Sequence, residues 1–276
     1  GRENGQKLVP VFDLSGHGTA VAGVAAGTSM GVAPKADLLV VRLGQPQAGS
    51  FPRTTQLMRG VNYAVNLGVS LNRPVAVNIS FGNTYGDHQG NSLLERYIDN
   101  ASEVGRSVIV IGSGNEGTSR GHTAGIVQRE SRMVELAVGD YETGLSIQLW
   151  KFYQDVFELR LISPGGEQTT LELSRIREAQ AQRRTLEQTQ LLCYLGKPLP
   201  YNVQQEIFID MIPSGSYINS GVWRIELVPV SLVTGEYRFY LPGYAARTAA
   251  TGFFLPTPDM TITIPSTARR AHSRRL

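Results

Sequence analysis

One histidine of this chain lies in a sequence setting suited to chemistry. Residues 13–19 read Asp-Leu-Ser-Gly-His-Gly-Thr, and a run of small residues follows them up to Gly27. Flanking glycines allow another segment or a substrate to approach the imidazole of His17, and small residues permit close helix packing. The alternative is a histidine at a helix N-terminus with its ring in a polar cleft. His17 is therefore a candidate functional residue.

A second candidate is Asn115, in the sequence Gly-Ser-Gly-Asn-Glu-Gly of residues 112–117, directly after an apolar run. An asparagine at the carboxyl end of a parallel strand lies on the edge where α/β folds build their sites. Its amide is a neutral donor that can stabilise an oxyanion without changing the proton balance. Asparagine is also common in turns because it tolerates positive φ, so the motif alone leaves both roles open.

The other titratable residues have no comparable setting. His88 and His122 follow glycine-containing loops, and His272 lies in the C-terminal segment. No grouping of His, Cys, Asp and Glu has the spacing of a metal site, and no pair of glutamates can be singled out for acid–base chemistry. We therefore expect neither a metal nor a cofactor.

The elements that would position these residues change character along the chain. Short apolar runs, typical of strands covered on both faces, occur at residues 38–41, 75–79 and 108–111. Between them, apolar residues recur at helical spacing over 57–65 and 93–101, and Asn91 or Ser92 can cap the second helix. Alternating strands and helices predict a parallel α/β sheet.

From about residue 130 to 245 the apolar residues alternate with polar ones. Such runs, separated by turn signals, lie at residues 158–162, 170–173, 223–228 and 237–241. This pattern predicts an antiparallel β sandwich. Residues 175–191 are rich in Arg, Glu, Gln and Ala and could form a helix, a charged surface excursion or an edge of the sandwich.

Four motifs, taken in order, resemble those of the subtilisin-like serine peptidases. They are His-Gly-Thr with Val-Ala-Gly behind it, Gly-Val-Ala-Pro-Lys-Ala-Asp at 31–37, Asn-Ile-Ser-Phe-Gly at 78–82, and Gly-Asn-Glu-Gly at 114–117. The resemblance implies that His17 is the general base of the triad and Asn115 the side-chain oxyanion donor. It implies further that Ser80, Phe81 and Gly82 form the backbone edge along which an extended peptide substrate lies by β-augmentation.

The chain departs from the family pattern at the other two triad positions. Subtilisins carry the triad in the order Asp, His, Ser, and the Asp lies well upstream of the histidine motif. Asp13 occupies the acidic position just before Gly-His-Gly, which is not the triad member. Ser29, in Gly-Thr-Ser-Met, is twelve residues past His17 on the expected helix, about 18 Å away, whereas a Ser–His pair needs roughly 3 Å. Ser266 lacks the preceding Gly-Thr and the following helix pattern.

The second half resembles the clostridial spore-germination subtilases, which carry a jelly-roll insertion inside the protease domain. The matching stretches are residues 135–138, 149–150, 163–167, 221–225 and 256–268. That resemblance implies cleavage and activation of a zymogen that degrades spore-cortex peptidoglycan. In that family, Pro-Ser-Thr-Ala is followed by the strand and helix that deliver the serine, whereas here the Arg-rich residues 269–276 follow. We expect a truncated chain with a foreign or frame-shifted tail.

Composition and charge limit the class of partner. The chain has 276 residues, of which 41% are hydrophobic, and Cys193 is its single cysteine, so a free thiol is expected. Four of the 26 basic residues lie in residues 269–276, which contain no acid, so the rest of the chain has 22 basic and 23 acidic residues. The pI of about 9.0 is thus a property of the tail. No run approaches the roughly 20 apolar residues of a membrane span.

The sequence therefore predicts an incomplete parallel α/β core of subtilisin type with an inserted jelly-roll sandwich. The predicted divisions are residues 1–129 and 248–268 for the core, 130–247 for the sandwich and 269–276 for the tail. The expected function is endopeptidase chemistry, inactive in this chain alone; the alternatives are a pseudoprotease or sensor acting through the sandwich, or a carbohydrate-binding sandwich with Trp150 and Trp223 as stacking platforms. Expected partners are a protein or peptide substrate and a propeptide, with no nucleic acid or membrane. The resemblance implies a spore-associated or extracytoplasmic location in a Gram-positive anaerobe.

Overall fold

The computed structural model describes residues 13, 15–43, 53–173 and 181–274 of the chain. By its internal contacts the chain divides into two compact units, Gly1–Gln45 and Pro46–Leu276. Within the described residues, no helix is long and apolar enough to cross a membrane.

Among its described residues, the first unit contains one helix, α1 (His17–Ala26). Its sequence is made of small and β-branched residues after the Gly-His-Gly turn, and only Ala26 of the helix is buried. Residues 38–41, predicted as a covered strand, are not assigned to a strand and are exposed. The prediction was wrong for this segment because an apolar run forms a strand only where sheet neighbours pair with its backbone.

The second unit begins with alternating helices and parallel strands. They are α2 (Thr54–Ser70), β1 (Val75–Ile79), α3 (Leu93–Ala101) and β2 (Ser107–Gly112). The hydroxyl of Ser92 accepts the Glu95 N–H, and the Glu95 carboxylate accepts the Ser92 N–H, which together form a capping box. Strand β2 lies between β1 and β14 (His272–Arg274), and both pairings are parallel. Three residues of the predicted foreign tail thus continue this sheet.

The rest of the second unit is an antiparallel sandwich of two sheets. The first sheet has the order β3-β12-β5-β10-β9-β8 and the second the order β13-β4-β11-β6-β7. Their bounds are β3 His122–Ile126, β4 Arg132–Val138, β5 Leu145–Phe152, β6 Val156–Ile162, β7 Gln168–Leu171, β8 Gln182–Leu186, β9 Thr189–Leu195, β10 Gln204–Pro213, β11 Gly221–Ser231, β12 Glu236–Tyr240 and β13 Gly252–Phe253.

Over the first four strands of each sheet, early and late strands alternate as in a double Greek-key jelly roll, and consecutive strands complete each sheet. Inward side chains of both sheets form one apolar core, which includes Leu149, Ile209, Trp223, Ile225 and Phe239. The α/β architecture with an antiparallel sandwich is therefore confirmed. The hairpin of β8 and β9 adds an edge to the first sheet, as the edge alternative for residues 175–191 predicts, while the helix alternative is wrong for the part from Gln182 onward.

The sandwich begins before residue 130 and ends after residue 247, which are the predicted limits of this domain. Strand β3 begins at His122 and pairs with β12, and β13 ends at Phe253 and pairs with β4. Both strands are short, so period-2 alternation is hard to recognise in them from sequence. The two ends of the sandwich meet: the Thr257 N–H donates to the His122 carbonyl (2.9 Å), and the Thr123 hydroxyl donates to the Leu255 carbonyl (2.7 Å).

Candidate active site

His17 is the first residue of α1 and is exposed. Gly16 before it takes a left-handed backbone (φ 74°), which glycine adopts without steric cost. The hydroxyl of Ser15 accepts the His17 N–H at 3.2 Å. The imidazole of His17 thus stands at the start of a helix, on a turn that the sequence Ser-Gly-His specifies.

Asp13 anchors this turn through its carboxylate. One oxygen accepts the N–H groups of Ser15 and Gly16 at 3.2 and 3.0 Å, and the other accepts both the N–H and the hydroxyl of Thr19 at 2.8 Å. These bonds, led by those from Thr19, hold the pKa of the Asp13 carboxyl well below its usual range. Among the described residues no hydrogen bond joins Asp13 to the His17 ring. This geometry supports the interpretation that Asp13 is not the triad acid.

Ser29 lies in an exposed turn after the end of α1. The helix has ten residues and is therefore about 15 Å long, with His17 at its first position. His17 and Ser29 thus flank opposite ends of the helix, so the Gly-Thr-Ser-Met sequence does not deliver a nucleophile to this histidine.

The predicted substrate edge and the predicted oxyanion donor meet at one end of the parallel sheet. Ser80, Phe81 and Gly82 follow β1, and Asn115 lies three residues after β2, which is the neighbouring strand. The strand ends are adjacent: a Cβ built on Gly112 would lie 3.9 Å from the Cα of Ser80. The carboxyl ends of adjacent parallel strands thus bring both segments to the edge where α/β folds place their sites.

The Asn115 side chain is available for bonding to a ligand. Gly114 takes the left-handed backbone of this turn (φ 82°), so Asn115 itself has a negative φ of −120°. The side chain is exposed and makes no cap bond to the short 3₁₀ helix Glu116–Thr118 that follows it. Gly114 therefore supplies the backbone conformation that the turn requires, and the side-chain amide of Asn115 remains available to donate to a ligand.

Sequence reasoning missed Thr263, which joins these two segments. Its N–H donates to the Ser113 carbonyl at 2.9 Å, and its side chain fills the space where Gly82 and Gly114 lack a Cβ. The Thr263 hydroxyl is buried and has no hydrogen-bond partner in the part of the chain that the structure describes. The following residue, Ile264, pairs antiparallel with Asn83 through bonds of 3.0 and 2.8 Å. A glycine within three residues of each of two adjacent strand ends, Gly82 after β1 and Gly114 after β2, is the sequence signal for such a close approach.

A stack of three rings holds the segment that leads to Thr263. The ring of Tyr240 lies between those of His88 and His122, with centroid distances of 4.0 and 4.4 Å. Each ring donates to one carbonyl of residues 257–262: His122 Nδ1 to Thr257 (3.0 Å), the Tyr240 hydroxyl to Met260 (3.2 Å), and His88 Nδ1 to Ile262 (2.7 Å). We call His88, Tyr240 and His122 the ring clasp.

Both histidines of the ring clasp are buried, and burial lowers their pKa values. For His122 the pKa falls to about 4, because the charged ring would lose its hydration and the nearby His88 adds to the effect. The Nε2 atom of His122 has no partner among the described residues. His122 also lines a small cavity, together with Thr84, Glu116 and Thr261. The pKa of His88 is also lowered, mainly by burial.

The burial and the hydrogen bonds of Ser266 are those of a structural residue. It is buried, and its hydroxyl donates to the Thr263 carbonyl at 2.5 Å, while its N–H donates to the same oxygen at 2.8 Å. No group of three or more His, Cys, Asp or Glu within the described ranges could hold a metal ion.

Comparison with known proteins identifies the family of this chain. The profile of the subtilase family, peptidase S8, matches residues 6–196, which is more than half of the chain. The chain belongs to the subtilase family. Its members are serine peptidases, and the motifs around His17, Ser80 and Asn115 all lie within the matched range.

Curated relatives of this subtilase include bacterial and fungal proteases. The alkaline protease 1 of Aspergillus oryzae is 35% identical over 114 residues, which cover 41% of this chain and 26% of that protein. The major intracellular serine protease of Bacillus subtilis is 29% identical over 170 residues, which cover 59% of this chain and 49% of that protein. The chain thus spans half or less of the length of these relatives.

A solved structure matches nearly the whole chain. The CspB protease of Clostridium perfringens superposes with a TM-score of 0.86 at 32% identity, covering 97% of this chain and 56% of that one. The match includes the antiparallel sandwich as well as the parallel sheet, since it covers almost every residue. The predicted subtilisin-like fold is therefore confirmed.

Proposed function

We propose that this subtilase chain provides the general base and an oxyanion donor of an endopeptidase that activates a protein zymogen, such as a spore-cortex hydrolase. The observation that carries the proposal is the meeting of Ser80, Phe81 and Gly82 with Asn115 at one end of the parallel sheet. The likeness to the Clostridium perfringens CspB protease over 97% of this chain supports a similar role.

The proposed mechanism follows from the chemistry of peptide hydrolysis. A serine hydroxyl attacks the carbonyl carbon of the scissile bond while His17 takes its proton, and the carbonyl π electrons move onto the oxygen. Asn115 and a backbone N–H donate to that oxyanion. The tetrahedral intermediate collapses as His17 returns the proton to the leaving amine, and water then hydrolyses the acyl-enzyme by the same path.

The substrate chain is proposed to lie extended along Ser80, Phe81 and Gly82. Backbone pairing at a strand-like edge binds any sequence, and side-chain pockets then give the specificity. The bond between the Asn78 amide and the Ser80 hydroxyl (2.9 Å) and the pairing of Asn83 with Ile264 hold this segment at both ends. A preordered edge reduces the entropy cost of binding an extended peptide.

We propose that the chain alone is inactive. The positions that match the family's motifs supply His17 and Asn115 but no triad aspartate and no nucleophilic serine, since Asp13 caps a turn and Ser266 is buried. Incubation of this chain with an internally quenched peptide and a serine-directed phosphonate should give neither hydrolysis nor labelling. Labelling of Ser29 would overturn this assignment.

The catalytic assignment is tested in a peptide-hydrolysing protein that contains this chain. His17→Ala is expected to abolish peptide hydrolysis, and Asn115→Ala to lower kcat by about 10²–10³, a magnitude known for the equivalent loss in a subtilisin. Asp140→Asn, an exposed change distant in sequence, is the control and should leave kcat unchanged. Full activity of His17→Ala would refute the proposal.

A second candidate function is a pseudoprotease or sensor that binds a partner through the sandwich. It is favoured by the sandwich's own continuous apolar core and by its two complete sheets. A serine-directed phosphonate, applied to the protein as isolated from its source, discriminates between the two candidates. Covalent labelling of a serine favours the peptidase, and binding of a partner through the sandwich without labelling favours the sensor.

Neither Trp150 nor Trp223 can act as the stacking platform that the carbohydrate-binding alternative requires. Trp223 points into the sandwich core and donates from its indole N–H to the Asn219 carbonyl (2.9 Å). Trp150 is on the outer face of the first sheet but is also buried. Neither ring is open for sugar stacking.

A further inference from the structure

The outer face of the six-stranded sheet carries a group of side chains that the peptidase site does not use. Along β10, Ile207 and Ile209 point into the sandwich core, so Glu206, Phe208 and Asp210 point outward. All three outward residues are half-buried. This face belongs to the sandwich and does not include His17 or Asn115.

Three aromatic rings form a strip across this face. Phe208 lies in the middle, with the ring of Tyr194 from β9 at 6.4 Å and the ring of Tyr85 at 6.5 Å between centroids. Tyr85 is fixed over the sheet by a bond of 3.1 Å between its hydroxyl and that of Ser146. Tyr194 and Tyr85 are 44% and 38% exposed, so the strip is open to solvent. We call Tyr85, Phe208 and Tyr194 the aromatic strip.

Two carboxylates flank the middle of the aromatic strip and have no partner in the part of the chain that the structure describes. Glu206 and Asp210 lie two positions before and after Phe208, and neither carboxylate has a hydrogen bond or ion pair to another described residue. Burial raises the pKa of both carboxyls, with no neighbouring charge or donor that offsets it. Arg183, on the edge strand, is separated from Asp210 by Leu192. A half-buried carboxylate without a partner costs stability, and a bound cation would offset that cost.

The spacing of these groups matches an extended peptide. Strand residues rise about 3.3 Å each, so Glu206 and Asp210 are about 13 Å apart along β10, with Phe208 midway. In an extended peptide, side chains at positions i, i+2 and i+4 point to one side with the same spacing. We propose that the aromatic strip with Glu206 and Asp210 docks an extended basic peptide segment, with Lys or Arg at positions i and i+4 and an apolar residue at i+2.

The chemistry of the face favours a cationic peptide over a neutral glycan. The interplanar angles of Tyr85 and Tyr194 to Phe208 are 31° and 57°, so the three rings do not form the flat platform that sugar stacking needs. A neutral sugar would also leave both carboxylate charges uncompensated. Basic side chains pair with carboxylates and are attracted by aromatic faces, so one ligand satisfies both parts of the site.

The test measures binding of a fluorescein-labelled peptide, Gly-Arg-Ser-Leu-Ser-Arg-Gly, to this chain by fluorescence anisotropy. Replacing both arginines by neutral citrulline, or moving the second arginine to position i+3, should raise Kd at least about fivefold, because each charge-assisted bond contributes more than about 1 kcal/mol. Raising the salt concentration from 50 to 300 mM should weaken the binding of the arginine peptide but not that of the citrulline peptide.

Variants of this chain test whether the aromatic strip and its two flanking carboxylates form the binding surface. Glu206→Gln, Asp210→Asn and Phe208→Ala should each raise Kd about fivefold or more, whereas the exposed control Asp140→Asn should leave it unchanged. Near-UV circular dichroism confirms that each variant keeps its fold; if Phe208→Ala unfolds, the two isosteric carboxylate variants carry the test.

Three outcomes would overturn the proposal. One is equal affinity of the arginine and citrulline peptides, and another is wild-type affinity of both carboxylate variants. The third is binding of an N-acetylglucosamine hexaose that competes with the peptide and is insensitive to salt, which would assign the face to a glycan. His17→Ala and Asn115→Ala should bind the peptide normally, so this test does not depend on the proposed peptidase function.

Discussion

Protonation of His122 should destabilise the folded chain between pH 6.5 and 4. In the ring clasp, His122 donates from Nδ1 to the Thr257 carbonyl, while its Nε2 is buried without a partner among the described residues. A proton on Nε2 would place a charge at a buried atom that has no hydrogen-bond acceptor among the described residues, and the favourable charge of Asp259 offsets the cost of burial only in part. The unfolded chain, in contrast, takes up that proton freely at a pKa near 6.5.

The magnitude follows from the two pKa values. Burial lowers the pKa of His122 to about 4 in the folded state. Because the unfolded state binds the proton first as the pH falls, the contribution of neutral His122 to stability is fully present above pH 6.5. It is lost progressively down to pH 4, by about 3 kcal/mol in total. His88 adds a loss of the same sign, since burial lowers its pKa as well.

The assay is urea unfolding of this chain, followed by tryptophan fluorescence, at several pH values between 4.5 and 7.5. His122→Asn keeps a donor near the Nδ1 position but cannot titrate in this range. We expect it to be less stable at pH 7.5 by about 1 kcal/mol, through loss of the contact with Tyr240, and to lose less stability than the wild type on acidification.

His17→Asn is the matched control. It also removes an imidazole, but from an exposed position where the ring has no hydrogen bond to another described residue. Its unfolding free energy should follow the wild-type pH dependence. If His122→Asn and the wild type lose equal stability between pH 7.5 and 4.5, the buried neutral His122 is not the cause and the reasoning is refuted.

Three further predictions concern stability and reactivity. Ser92→Ala removes the hydroxyl of the capping box and should lower the free energy of unfolding by about 1 kcal/mol in urea titrations, with no change expected for Ser92→Asp. Gly114→Ala should lower the melting temperature because its φ is 82° and its Cβ would meet Thr263; Gly215→Ala, with open space around it, should not. Cys193 is fully buried and its thiol pKa is raised to about 12, so Ellman's reagent should react at pH 8 only after denaturation, and prompt reaction with the native chain would contradict the structure.

The elements with long, regular patterns could be predicted from the sequence. Helix α3 follows the apolar spacing from Leu93 and the Ser92 cap, and β11 and β12 follow the alternation around Trp223 and Tyr237. In each case local propensity and burial pattern agree, so the element forms where the sequence indicates. The apolar run at 38–41 shows the limit, because a strand also needs neighbours that its own sequence does not specify.

Some residues of the candidate site could likewise be selected from the sequence, and others could not. His17, Asn115 and Gly82 lie in local motifs, so the sequence alone selects them as candidates. Thr263 and the ring clasp could not be selected, because the contacts that define them are tertiary: the bonds from His88 to Ile262 and from His122 to Thr257 span 174 and 135 positions of the sequence. Residues that act through tertiary contacts leave no periodic signal along the chain.

Because the two ends of the sandwich lie next to each other, the sandwich could be exchanged as a module. His122 and Thr257 are hydrogen-bonded neighbours, although the whole sandwich lies between them. An insertion whose ends touch adds a module without separating the strands on either side of it. A short turn from Gly121 to Pro258 could therefore replace the sandwich without stretching the chain. Because His122 and Tyr240 would both leave with the sandwich, the segment before Thr263 would then be held by His88 alone among the three stacked rings.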